Sequence, residues 1–584
     1  MTRAHLFFSV ALASLAACGG RTDGLLPVID ADAGAGGEGG GMPTLRADKL
    51  DVLFVVDNTI TATFAQPILA DTIPHLLDRL TNPPCVNGFG EVVSNPPEGA
   101  PCPVGTREFA PLSDIHIGLT TTSIGGHGAD SCSPASGAYH PMQEDNAHLL
   151  ARSPSGAVVP TYQGLGFLAW DPGQKQVPPG LDDPAELSLD LRALVRGAGG
   201  KGCGFEAPLE AMYRFLVDPD PWSFIQIQDQ SAVLVGTDDT ILAQRAAFLR
   251  PDSALVVVVL TDENDCSTRD GGQYYFSNQA AQSGQPFHLP RPRAACATSP
   301  DDPCCASCGQ VDPPGCGPDP SCDGPPLDAQ SDPVNLRCFE QKRRFGIDFL
   351  WPVDRYVTGL TAAKVPDRAG ELVANPLFAG GRAPSLVTFA AIVGVPWQDI
   401  AVDPSSLGSG FVAAAHADWG LLLDDGTGVP GDPLLRESRE PRVGTSPTTG
   451  AALAPPDASS PTANPVNGHE HGLGDALQYS CIYRLPQPLD CGSVAACECN
   501  GPGSVDTNPV CQAPDGSYAT VQRAAHAQPP VRLLEVAHEL GAGAVLGSIC
   551  ADTGVPSGQP GFAYTPTVSA IARALRQKLV PPAQ

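Results

Sequence analysis

Two runs of large and β-branched apolar residues each close on an aspartate. The first is Leu53-Phe54-Val55-Val56-Asp57, followed by Asn58-Thr59-Ile60-Thr61; the second is Leu255-Val256-Val257-Val258-Val259-Leu260-Thr261-Asp262. Neither alternates with polar positions, which is the pattern of strands covered on both faces of a parallel sheet. Residues 386–394 and 544–550 read the same way, and 114–120 reads as a further strand. There His116 alternates with Ile115 and Ile117, so it points to the opposite face and reads as a buried or simply exposed side chain, not a ligand.

Apolar residues at helical spacing predict helices over 64–80 (Ile68, Leu69, Ile73, Leu76 and Leu77 inward), 205–216 (Phe205, Leu209, Met212 and Leu216), 356–363 and 533–540. A last helix is predicted from Thr565, its cap, with Val568, Ile571, Leu575 and Leu579 facing the core. Pro74 should kink the first helix or end its first half. Pro208 falls in a first turn, where its missing N–H costs little. Because strand and helix return at the end of the chain, the irregular segments interrupt one domain, 48–584, and do not follow it. These are a cysteine-rich insertion, 266–345, and a loop-rich insertion, 400–530, within which 426–467 reads as an exposed loop. The expected fold class is α/β, with a doubly wound, mostly parallel sheet.

In open sheets of this kind, ligands collect in the crevice beyond the carboxyl ends of the strands. Asp57 and Asp262 would share that edge, with the hydroxyls of Thr59 and Thr61 beside the first. Two carboxylates and two hydroxyls form a hard-oxygen set suited to Mg²⁺ or Ca²⁺. Glu206 falls at a helix start, where it reads first as a cap complementing the helix dipole and second as a further oxygen ligand.

The pattern resembles a von Willebrand factor A-type domain. That family opens its metal-ion-dependent adhesion site with Asp-x-Ser-x-Ser after the first strand; this chain has Asp57-Asn58-Thr59-Ile60-Thr61, with threonine at both hydroxyl positions. The later aspartate of the family matches Asp262. Its third element, a threonine in a Gly-rich loop before a helix, falls on Gly202-Cys203-Gly204-Phe205-Glu206, which has none. The resemblance covers about 50–579 and implies a divalent ion, bound weakly or not at all, with one coordination position left for a partner's carboxylate.

The first residues set an expected compartment. Arg3 precedes an apolar stretch, 6–17, too short to span a bilayer, which ends in Leu15-Ala16-Ala17-Cys18. This looks like the lipobox of bacterial lipoproteins, which implies removal of 1–17 and lipidation of Cys18; Gly19 in place of aspartate favours the outer membrane. Residues 18–47, with a Gly-rich centre, form a tether of roughly 30 Å root-mean-square span. Nineteen cysteines less Cys18 leave an even number, in even groups: four up to Cys203, eight from Cys266 to Cys338, six from Cys481 to Cys550. Disulfides closing within each group suit an oxidising compartment; zinc at Cys305 and Cys308 is the alternative. A net charge of −29 makes nucleic acid and anionic membrane surfaces poor partners.

Enzyme chemistry has little support. His469-Glu470-His471 lacks the i, i+4 histidine pair of a zinc protease helix and reads as a solvated loop tip. Neither a Gly-x-Ser-x-Gly elbow nor a phosphate loop is present. Three readings compete. The first is an adhesion-type envelope protein with a degenerate cation site, recognising a protein or polysaccharide. The second is a metal-independent platform that uses the cysteine-rich insertion. The third is an extracellular hydrolase. Cation dependence separates the first two, and turnover on polymeric substrates identifies the third.

Overall fold

The computed structural model describes residues 46–582 except 454–463, 473, 493, 495–496, 502–506 and 552–553. The signal segment, Cys18 and the tether through residue 45 lie outside the described residues. Arg46 and Ala47, counted with the tether from sequence, belong to the fold. Ala47 is buried and its N–H bonds to the Lys578 carbonyl at 2.9 Å, while Arg46 reaches the Leu579 carbonyl.

In chain order the main elements are β1 (Leu50–Val56), α1 (Ala65–Thr81), β2 (Ile115–Thr121), β3 (Phe167–Trp170), α2 (Pro184–Gly197), α3 (Pro208–Leu216), α4 (Asp239–Phe248), β4 (Ala254–Leu260), α5 (Asp354–Thr361), β5 (Val387–Val393), β6 (Cys481–Asp490), β7 (Val521–Ala527), α6 (Val531–Leu540), β8 (Ala544–Ser548) and α7 (Thr565–Leu575). Six strands form the central sheet, ordered β3-β2-β1-β4-β5-β8. All its pairings are parallel except that of the edge strand β3 with β2. Every residue of β1, β2, β4 and β5 is buried, as their unbroken apolar runs require. The helices form two packed sets: α1 with α2 and α7, and α3 with α4, α5 and α6. The fold is therefore mixed α/β around a mostly parallel sheet, and the order of connection reverses between β1 and β4.

Several local expectations change. Helix α1 does not end at Pro74: the proline lies on its exposed side, while Ile68, Leu69, Ile73, Leu76 and Leu77 anchor the other side in the core. Thr565 does not cap α7; Tyr564 holds that position without a side-chain cap. His116, by contrast, is buried as one of its two expected readings had it, with Nδ1 2.9 Å from the Phe248 carbonyl, and burial lowers its pKa. His469-Glu470-His471 is not a solvated tip: all three are buried, and Glu470 pairs with the buried Arg442 at 2.7 Å. The same pairing draws part of 426–467 inward, where Leu434 and Leu435 are fully covered.

The eighteen remaining cysteines form nine disulfides, each within its own sequence group. Cys266–Cys338 closes the cysteine-rich insertion and three shorter bridges lie inside it: Cys296–Cys305, Cys304–Cys316 and Cys308–Cys322. Cys305 and Cys308 thus bond elsewhere and not to zinc. The insertion's own apolar cluster is small, centred on Leu289, Phe345 and Phe349. Thiol titration of the denatured protein, with Cys18 replaced, is expected to find no free thiol. Replacing Cys266 and Cys338 together by alanine releases a loop of 72 residues. This should cost on the order of 4 kcal/mol in chemical denaturation, and limited proteolysis should then cut the insertion first.

Candidate functional site

The reversal between β1 and β4 carries Asp57 and Asp262 out of the core on adjacent strands. The Asp57 N–H still bonds to the Leu260 carbonyl at 2.8 Å, so the strand pairing continues to the first carboxylate. Asp57 is held closely. Its Oδ1 accepts the Thr59 N–H (2.9 Å) and hydroxyl (2.7 Å), and its Oδ2 accepts the Thr261 hydroxyl (2.7 Å). The Thr61 hydroxyl lies 3.5 Å from that of Thr59. Gln66, at the start of α1, donates to the Asp57 carbonyl and to the Gly199 carbonyl, so helix, strand end and Gly-rich loop are locked together.

That loop docks on Asn58. The Gly202 N–H bonds to the Asn58 carbonyl, and Ser123 bridges the Asn58 side chain and the Cys203 N–H. A Cβ at Gly202 would lie 2.3 Å from Asn58 Oδ1 and 2.7 Å from its carbonyl oxygen, so only glycine fits. The loop leads into α3, whose first N–H groups are met by the chain just past β4: Asp265 accepts from Leu209 and Ser267 from Glu210. Glu206 makes no cap; Ala207 holds that position. The Glu206 carboxyl is buried beside Glu263, Asp57 and Asp262 instead.

Four carboxyl groups therefore gather at this edge, and among the described residues none of them forms a salt bridge. Asp51, at the opposite end of β1, shows the contrast: it pairs with Arg250 and Arg382 at 2.8 Å each. Asp262 is the extreme case. It is 1 % exposed, and neither of its carboxyl oxygens reaches a partner with hydrogen-bond geometry, although the Thr61 hydroxyl and the Asp57 carboxyl bear on it from close by. Burial, then the charges of Asp57 and Glu263, push its pKa well above the ordinary 3.8. Burial also raises Asp57, partly offset by the Thr261 and Thr59 bonds. Burial and the Glu263 charge raise Glu206 strongly. Glu263 is pushed up to about 7 by burial and by Asp57, with His526 pulling the other way. His526 itself faces Glu498 at 3.1 Å and stacks on Tyr479 at 3.9 Å. Burial alone would lower His526, but the Glu498 carboxylate outweighs it.

The unpartnered oxygens of Asp262, with Asp57 and the Thr59 and Thr61 hydroxyls, match the donor chemistry of a hard divalent cation. Among the described residues no three acidic, histidine or cysteine side chains converge with metal-binding geometry. Two carboxylates and two hydroxyls fall short of the six oxygens such an ion takes, and water would have to complete the shell. Gly204 has open space where a side chain would stand, so nothing replaces the absent threonine there. The insertions border the site: a cavity of about 40 Å³ beside Glu206 and Glu263 is lined on its other side by Leu336, Phe339, Glu437 and Leu477.

The sequence named Asp57, Thr59, Thr61, Asp262 and Glu206, and the fold brings all five to one edge. It missed Glu263, Thr261, Gln66 and His526. Glu263 and Thr261 adjoin Asp262, so proximity in sequence was an available signal. Gln66 and His526 arrive through the fold. Compared with known proteins, the chain matches no family model, no curated protein and no solved structure.

The raised carboxyl pKa values make stability depend on pH with a definite sign. A carboxyl whose folded pKa exceeds its unfolded value binds more protons when folded, so its contribution is full below about 4.5 and is lost as pH rises toward 7. In chelator, thermal and urea unfolding should show stability falling across that window, by up to about 1.4 kcal/mol per pH unit for each proton retained. Glu263→Gln should flatten the upper part of the curve.

Proposed function

We propose that this chain is a lipid-anchored binding protein of the bacterial outer membrane, built on a von Willebrand factor A-like domain with a degenerate divalent-cation edge. The observation that carries the reading is the buried, unpartnered carboxylate of Asp262 beside Asp57, on the two strands flanking the sheet's reversal. Asp57, Thr59, Thr61 and Asp262 would hold Mg²⁺ or Ca²⁺, with Glu206 nearby, and the ion would supply positive charge that recruits a partner's carboxylate. The order of motif and strands supports the family reading. Disulfide density supports an oxidising compartment, and Leu15-Ala16-Ala17-Cys18 supports the anchor. Among the described residues no helix is long and apolar enough to cross a membrane. The net charge of −29 argues against nucleic acid and for a protein or polysaccharide of the envelope or cell surface.

One observation favours a second reading. Asp57, Asp262 and Glu206 are closed off from solvent and Thr61 is the part-covered member of the set, so a bulky partner reaches the ion only if the insertions move. In that reading the cysteine-rich insertion is the recognition surface and the carboxyl cluster is carried protonated.

Calorimetric titration of Mg²⁺ and Ca²⁺ separates the two. The first reading expects weak binding to the wild type, with a Kd on the order of 10⁻⁴ to 10⁻³ M, and none to Asp57→Ala or Asp262→Asn. Equal heats in all three proteins would leave the edge without a cation role. Anchoring is tested separately in cells: Cys18→Ser should block lipidation and cleavage after Ala17 and deplete the protein from the outer-membrane fraction. Wild-type protein recovered mature and unlipidated in the medium would overturn it.

A further inference from the structure

The loop that follows β2, residues 124–134, borders a cavity of about 320 Å³. It turns tightly. Gly125, His127 and Gly128 have φ of +78°, +53° and +97°, and a Cβ at Gly126 would lie 2.0 Å from the Ser131 carbonyl oxygen. For a histidine such a backbone is uncommon. An antiparallel hairpin, Phe224–Gln228 with Ser231–Val235, forms another wall. Ile225 and Ile227, two apart on one face of it, press against Gly128, where a Cβ would lie 3.2 and 2.7 Å from them. Glu144 lies against Gly125 in the same way, its Oε1 3.0 Å from such a Cβ. The Cys132–Cys203 disulfide fastens the loop to the Gly-rich loop before α3.

The polar side chains around this cavity offer acceptors. His127 is 3 % exposed, and its Nδ1 lies 2.9 Å from Asp270 Oδ1. Asp270 also accepts from the Trp222 indole at 3.1 Å, and against burial the bonds from His127 and Trp222 hold its carboxyl below the ordinary 3.8. An ionised carboxylate only accepts, so Nδ1 carries the proton and the neutral ring presents a lone pair at Nε2. Asn146 Nδ2 donates to the Glu144 carbonyl at 3.0 Å, which makes its Oδ1 an acceptor. Glu144 Oε2 takes the Tyr139 hydroxyl at 3.0 Å. His127 Nε2, Asn146 Oδ1 and Glu144 Oε1 have no hydrogen-bond partner among the described residues, and none of the three is sealed from solvent. All three residues line the cavity, and no lysine or arginine does. The Arg214 guanidinium, stacked on the Trp222 ring at 3.8 Å, is paired with Asp238.

We propose that this cavity binds a primary ammonium group carried on an apolar stem. Such a group has three N–H donors and no acceptor, and Nε2, Oδ1 and Oε1 are three acceptors, one of them on a carboxylate. Ile124, Ile225 and Ile227 cover a short alkyl stem. An inorganic divalent ion would meet a single carboxylate here and leave the isoleucines against water. Burial raises the Glu144 pKa, and an ammonium beside it favours the ionised form again. The same chemistry belongs to a free alkylamine and to a lysine side chain of a partner protein. The site is separate from the Asp57–Asp262 edge and does not rest on its cation.

The test uses the full chain in chelator, above neutral pH, and measures binding by calorimetry or ligand-observed NMR. Butylammonium should bind in the millimolar range or tighter, and butanol, its neutral counterpart, at least about tenfold more weakly. Tetramethylammonium, which has the charge without N–H donors, should be weaker than butylammonium by a similar factor. Glu144→Gln, at a partly exposed position, should weaken butylammonium about tenfold. Ile227→Ser, at a position 37 % exposed, is a second variant that spares the polar groups, and it should weaken butylammonium more than methylammonium. A peptide with blocked termini and one internal lysine separates the two sources: tighter binding than butylammonium assigns the site to a partner's lysine, and weaker binding to a free amine. Butylammonium that binds no better than butanol, or equally to wild type and Glu144→Gln, overturns the proposal. Tetramethylammonium that binds as tightly as butylammonium overturns the three-acceptor match and the proposal with it.

Discussion

Adjacent parallel strands that run through a core in register must end together, and here β1 and β4 end on Asp57 and Asp262. Burial raises the cost of charging either carboxyl, and the charge of Asp57 raises it further for Asp262. Glu206 and Glu263 add to the same enclosed space. The charge must be relieved by protons or by a cation, and the surrounding structure is arranged for either. Asp57 is fixed as an acceptor by three donors, which offset part of what burial does to it. Asp262, with none, is the group whose state depends on what shares the space with it.

The insertions are built around this constraint. Asp265, three residues past Asp262, caps α3 and pairs with Arg532 of α6 at 3.0 Å. The chain that leaves the acidic edge thus fastens a helix N-terminus and a second helix before entering the disulfide-rich segment. The Asp262 carbonyl accepts the Gln528 N–H just past β7, so the later insertion is pinned to the same residue from the other side. Both insertions are tied to the strand end, and the carboxyl cluster lies where they meet.

The parts of this arrangement that could be read from sequence were those set by local pattern. Continuous apolar runs gave β1, β4, β5 and β8, and helical spacing gave α1, α3, α5, α6 and α7. Helix α2 was overlooked despite Leu187, Leu191, Leu194 and Val195 at regular spacing, because its other positions are polar and it follows a proline-rich turn. Strand β3 has only four residues, Phe167–Trp170, too few for a period to register. The hairpin of β6 and β7 pairs segments about forty residues apart across irregular chain, which no local rule reports. The misreading of His469-Glu470-His471 has the same origin. Their neighbours in sequence are those of a loop, but Glu470 is drawn inside by Arg442, 28 positions away. Likewise the helix-start position of Glu206 suggested a cap, and the cap was already supplied by Asp265 and Ser267 from a distant part of the chain.

The carboxyl edge differs along its length. At the reversal, four acids converge with no salt bridge among the described residues, three of them buried, and His526 is the cation that bears on Glu263. Two strands along, beyond β5 and β8, the edge is instead bordered by a larger cavity between the sheet and the hairpin of β6 and β7. Tyr483 stands between them, fully enclosed by the hairpin, and burial, then Tyr564 and the charge of Asp262, hold its phenol well above the ordinary 10.0, so it faces the acids as a neutral group.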